Sequence, residues 1–115
     1  VVEQAVLPGA GGELVASPDI FSPDNDGYQD VLTLNYTFNE PGYVGTMVVF
    51  DIAGREAKKL MNNVLLGTTG ALSWDGILET GDKARIGPYV VYFEVFDLSG
   101  NVKKFRKTVT LAHHL

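Results

Sequence analysis

Tyr89-Val90-Val91-Tyr92-Phe93-Glu94-Val95-Phe96, then Asp97-Leu98-Ser99-Gly100, then Val102 to Leu111, is the stretch that decides the fold class. Eight residues dense in β-branched and aromatic side chains read as a strand. Asp hydrogen-bonds a turn backbone and Gly accepts the positive φ of a short loop, so the chain reverses and returns as a second strand. An isolated hairpin would leave Tyr89, Val91, Phe93 and Val95 uncovered, and a second layer is required.

The same pattern extends outward from this hairpin. Leu32, Leu34, Tyr36 and Phe38 alternate with Val31, Thr33, Asn35 and Thr37, the period of two of a half-buried strand. Asn39-Glu40-Pro41-Gly42 ends it, since proline and glycine fit a turn and interrupt a ladder. Val44 to Phe50, the turn Asp51-Ile52-Ala53-Gly54 and Arg55 to Leu60 form another hairpin, and Val64 to Leu66 and Ala71 to Trp74 are shorter strands. The two turns share their chemistry: Phe50-Asp51-Ile52-Ala53-Gly54 before Lys58-Lys59 parallels Phe96-Asp97-Leu98-Ser99-Gly100 before Lys103-Lys104. About seven strands at this spacing predict an all-β protein, an Ig-like or fibronectin-like antiparallel β-sandwich. Residues 1–16, with Pro8, Gly9, Gly11 and Gly12, read as a linker or leading strand; 17–112 are the sandwich; 113–115, with His113 and His114, are a tail or the remnant of a tag.

Composition narrows the function classes. At 115 residues with 45% hydrophobic and 20% charged side chains, the chain makes one domain with one core. A net charge of −5 disfavours nucleic acid and anionic membrane as main partners. No apolar run nears the roughly 20 residues of a membrane-spanning helix. The absence of cysteine excludes disulfides, thiolate metal sites and cysteine nucleophiles. With no internal His and no Gly-x-Ser-x-Gly elbow, the expectation is a non-enzyme. A monomer is expected. Opening without Met, the chain reads as a piece of a longer protein, with room upstream for any targeting segment.

Three features carry chemistry. Ser22-Pro23-Asp24-Asn25-Asp26-Gly27-Tyr28-Gln29-Asp30 sets oxygen ligands at alternate positions before a Gly, as a Ca²⁺ loop does, with Ser22, Asp24, Asp26, Tyr28 and Asp30 as candidate ligands. The twelfth place is Thr33 rather than Glu, so an Asx-rich turn satisfying backbone N–H groups stands beside the Ca²⁺ reading. Trp74, before Asp75-Gly76, is either a core plug or a stacking platform for a glycan. Lys103, Lys104, Arg106 and Lys107, with Lys58 and Lys59, form a basic patch on two strands, where lysines guard edges against aggregation. Asn35-Tyr36-Thr37 fits a glycosylation sequon but lies inside a strand.

Phe21-Ser22-Pro23-Asp24-Asn25-Asp26-Gly27-Tyr28-Gln29-Asp30 resembles the F-[ST]-P-N-G-D-G-x-N-D opening of C-terminal domains in Bacteroidetes surface proteins, with Asp24-Asn25-Asp26 in place of Asn-Gly-Asp. Val49 to Arg55, then Trp74-Asp75-Gly76, then Gly87-Pro88-Tyr89 are similar to V-x-D-x-x-G-R, W-D-G and G-x-Y, the pattern of flagellar hook-cap-type Ig-like domains and of type IX secretion sorting domains. The closing Val102-Lys103-Lys104-Phe105-Arg106-Lys107-Thr108-Val109 resembles the last strand of those sorting domains. The resemblance implies a module of a secreted or cell-surface protein that reaches the surface through the periplasm and is recognised by the outer-membrane secretion machinery. Gly87 to Leu111 would carry that recognition, with Gly87, Tyr89, Gly100, Lys103 and Lys104 as its candidate residues. A carbohydrate- or surface-binding Ig-like module, using Trp74, and a plain spacer are the alternatives.

Overall fold

The computed structural model describes residues 12–22 and 30–112. They form eight strands: β1 (Gly12–Ser17), β2 (Ile20–Phe21), β3 (Leu32–Phe38), β4 (Val44–Asp51), β5 (Glu56–Leu65), β6 (Thr69–Trp74), β7 (Gly87–Phe96) and β8 (Val102–Leu111). There is no helix among the described residues, so none is long and apolar enough to cross a membrane. Two sheets, ordered β1-β3-β6 and β2-β8-β7-β4-β5, make an Ig-like β-sandwich. Every pairing is antiparallel except β2 with β8, which is parallel.

The strand set differs from the expected seven in two places. Arg55–Leu60 and Val64–Leu66 are largely one strand, β5, whose register against β4 shifts at three points and which carries Asn63 at φ 51°. Bulges of this kind break the alternation that marks a strand in sequence. Gly12–Ser17 is the leading strand β1, paired along its length with β3. The chain then changes sheets across a cis Ser17–Pro18 bond, and β2 joins β8.

The alternation on β3 and β7 does what its period implies. Leu32, Leu34, Tyr36 and Phe38 from one layer meet Tyr89, Val91, Phe93 and Val95 from the other in a single core. Each large apolar side chain taken fully out of water contributes about 1.5–3 kcal/mol. Rings interlock through the middle: Phe93 lies 5.6 Å from Tyr36 and 5.8 Å from Phe105.

Register fixes two poles. Gly12, Phe38, Val44, Phe96 and Val102 stand at one end, where the chain enters β1. Leu32, Trp74, Asp51, Tyr89 and Leu111 stand at the other, where it leaves β8. These are the entry pole and the exit pole below.

Candidate functional site

Residues of motifs separated in sequence meet at the exit pole. Phe21 packs on Trp74 with ring centroids 5.6 Å apart, and Trp74 meets Tyr89 edge-on at 5.2 Å. Tyr89 is the cross-strand partner of Asp51, and Gly87 that of Leu111. Phe21 of the opening motif, the Asp51 turn, Trp74 and Gly87-Pro88-Tyr89 are therefore one neighbourhood.

Trp74 is its pivot. It is 1% exposed, and its indole Nε1–H donates to the Ile77 carbonyl at 2.9 Å. A ring so enclosed presents no face to a sugar, which corrects the reading of Trp74 as a glycan platform. Its hydrogen bond also fixes the start of the loop from 77 to 86. Ala84 N–H donates to Gly76 at 2.8 Å and the Tyr89 hydroxyl to the Arg85 carbonyl at 2.6 Å, so the loop returns over Tyr89. Burial, with the nearby Asp51 charge, raises the Tyr89 phenol pKa.

Between this loop and the β4–β5 turn lies an open cleft of about 540 Å³. Ile52, Ile86, Leu78 and Pro88 supply apolar walls, and Arg85 and Glu56 supply charge. Ile52 is 80% exposed and Ile86 51% exposed, two aliphatic side chains held in water at the mouth. Asp51 is committed to its own turn. Its carboxylate accepts the N–H groups of Ala53 and Arg55 at 2.9 Å each and the Arg55 Nε–H at 3.0 Å. The Arg55 N–H, opposed by partial desolvation and aided by the Arg55 charge, holds this carboxyl below the ordinary range.

Asp97 repeats that device at the entry pole. It accepts the N–H groups of Ser99 and Asn101 at 2.9 Å each and the Asn101 side-chain amide at 3.1 Å. Gly54 and Gly100 take φ of 84° and 86° at equivalent places, so the likeness of the two hairpins is structural as well as sequential.

The other candidate residues are divided between the poles. Gly87 and Tyr89 line the cleft, whereas Gly100, Lys103 and Lys104 lie at the far end of the β7–β8 hairpin. Lys103 sits over the Tyr43 ring at 5.9 Å, and Lys104 opposes Glu94 across the ladder. The expected basic patch is likewise two groups, because β7 and β4 separate Lys58 and Lys59 on β5 from Lys103, Lys104, Arg106 and Lys107 on β8. Of the candidate Ca²⁺ ligands, Ser22 is buried and Asp30 half-buried, while Asp24, Asp26 and Tyr28 lie outside the described residues. Among the described residues no group of three or more His, Cys, Asp or Glu could hold a metal ion. Arg85, Ile86 and Leu78 had no signal in sequence, since only the hydrogen bonds of Trp74 and Tyr89 bring their loop to the cleft.

No family model matches the sequence. No curated protein matches it either. The fold is similar to the crystal structure of CopC from Methylosinus trichosporium OB3b, with a TM-score of 0.55 and 19% identity over 91% of this chain and 97% of that one. At that identity the likeness establishes the sandwich architecture.

Proposed function

We propose that the chain is a non-catalytic C-terminal module of a secreted bacterial surface protein, a type IX sorting or accessory domain read by the outer-membrane secretion machinery. The observation that carries this reading is the meeting of the motifs at the exit pole. Asp51, Gly87 and Tyr89 line one cleft with two exposed isoleucines at its mouth, and Phe21 and Trp74 pack behind Tyr89. Exposed aliphatic side chains on a rigid rim are anchors for a protein partner. The surface is presented by packed strands and hydrogen-bonded turns, so recognition by shape has a fixed template.

A second reading is an Ig-like module that binds a surface ligand in the same cleft, with Ile52, Ile86 and Arg85 in place of Trp74. The test is export of a reporter that carries a signal peptide and is fused to the full chain, in type IX-competent cells and in a translocon mutant. The sorting reading expects translocon-dependent surface delivery that Ile52→Glu and Arg85→Glu abolish without loss of fold. A folded fusion retained in the periplasm of competent cells would overturn it and favour the binding module.

A further inference from the structure

A sheet edge presents unpaired N–H and C=O groups and invites another strand unless it is blunted. On the large sheet, β5 carries Glu56, Lys58 and Lys59 and shifts register against β4. It is also covered by Glu79, whose N–H donates to Ala57 at 2.9 Å and whose carboxylate accepts the Lys59 N–H at 2.7 Å. On the opposite side β8 carries Lys103, Lys104, Arg106 and Lys107, and β2 covers its end. On the small sheet β1 holds Glu13 and gives way to Pro18, with Gly12 close to Phe105 of β8. The remaining edge is β6, Thr-Gly-Ala-Leu-Ser-Trp, with no charge, no proline and no register shift.

The phase of the ladder shows what this edge offers. Phe38 N–H donates to the Thr68 carbonyl at 2.7 Å, so Phe38 and Thr68 form a bonded pair. Bonded pairs recur every second residue in an antiparallel ladder, which assigns Tyr36 with Gly70, Leu34 with Leu72 and Leu32 with Trp74 to that class. Thr69, Ala71 and Ser73 therefore turn their N–H and C=O groups away from β3, and all three residues are exposed. Among the described residues no strand pairs on that side.

We propose that this edge pairs with the same edge of a second copy of the chain, antiparallel about a two-fold axis at Ala71. That register sets Ala71 against the partner's Ala71 and Thr69 against the partner's Ser73. The outward-facing groups then make about six backbone hydrogen bonds. A second copy fits because nothing on β6 repels its own image. The facing side chains are small, none is charged, and Thr opposite Ser is a favourable cross-strand pair. The pairing joins the two small sheets into one and brings together two molecules of net charge −5, so association strengthens as salt screens their repulsion.

The experiment is sedimentation of the full chain from about 10 μM to about 1 mM, the weak end of specific association, at low and high salt. The expected mass rises from 12.5 kDa towards twice that value, and rises further with salt. Ala71→Lys and Ser73→Lys stay monomeric with an unchanged melting temperature, because both side chains already face water. Amide exchange at Thr69, Ala71 and Ser73 slows with concentration in the wild type only. A wild type that stays at 12.5 kDa throughout would overturn the proposal and leave the edge to a strand from another protein. So would a dimer that survives Ala71→Lys and is lost in Val102→Glu. That result would move the interface to the row of exposed Leu65, half-buried Val44, and exposed Phe96 and Val102 across the large sheet.

Discussion

The phenol of Tyr36 fills the space that a Cβ on its cross-strand neighbour Gly70 would occupy. Tyr36 is buried in the core, so the ring has little freedom to move aside. A glycine in a strand loses packing, and an aromatic ring laid over it restores that packing. Gly70→Ala is expected to cost about 1–3 kcal/mol by overpacking. In a Tyr36→Leu background the extra methyl has room, and the penalty shrinks. Urea melts of the four proteins measure the coupling, and strictly additive effects would refute the contact.

Trp74 is the chain's one tryptophan and therefore reports its own environment. Its emission is expected to be blue-shifted and protected from acrylamide. Trp74→Ala should destabilise the domain by about 3–5 kcal/mol, whereas Trp74→Phe retains most of the packing but leaves the Ile77 carbonyl without its 2.9 Å donor. Strong quenching in the folded state would contradict the burial found here.

Asp51 and Asp97 give the protein an acid limb. Hydrogen bonds from Arg55 to one and from the Asn101 side chain to the other hold both carboxyls below their ordinary value of 3.8. A group whose folded pKa is depressed adds stability above its unfolded pKa and loses it as pH falls through the folded one. The melting temperature should therefore drop as pH is lowered through and below 3.8. The drop should be smaller in Asp51→Asn/Asp97→Asn, and an identical acid limb in that variant would count against the assignment.

Tyr89 supplies the opposite limb. Its phenol pKa is raised first by burial and then by the Asp51 charge. The folded state thus favours the neutral phenol, and that stability is lost as pH rises through the raised value. Tyr89→Phe should cost about 1 kcal/mol at neutral pH through the lost bond to Arg85 and should flatten the alkaline limb. Melting curves above pH 10 compare the two proteins.

Gly45 tests packing at the entry pole. A Cβ there would lie 2.8 Å from Leu66 Cδ1 and 3.0 Å from Phe93 Cε1. Gly45→Ala is expected to lose about 1–3 kcal/mol and to recover part of it with Leu66→Val, read by urea denaturation.

Much of this architecture was legible because β3 and β7 bury one face and so keep a period of two, while β4 and β8 are marked by the Asp-x-x-Gly turns beside them. Trp74 was readable as a core plug for the same reason: a strand's last aromatic before an Asp-Gly turn has a layer to pack against. What stayed hidden lacked period. β2 is two residues long, too short for any pattern, and β5 is bulged at Asn63. β1 buries Leu14 but lies in a glycine-rich context, so composition left linker and leading strand both open. The Leu78, Arg85 and Ile86 wall is set by long-range hydrogen bonds, which leave no local trace.

The parallel pairing of β2 with β8 has a mechanical meaning. The chain enters β1 at one pole and leaves β8 at the other, so once β1 has slid off β3 a pull along the polypeptide draws β2 and β8 past each other. Thr110 N–H bonded to Asp19 at 2.8 Å and Ala112 N–H bonded to Phe21 at 2.9 Å then bear load together, in shear, instead of opening one after another. A domain strung this way resists extension at its last few residues, and Phe21, packed on Trp74, lies in the path of the load.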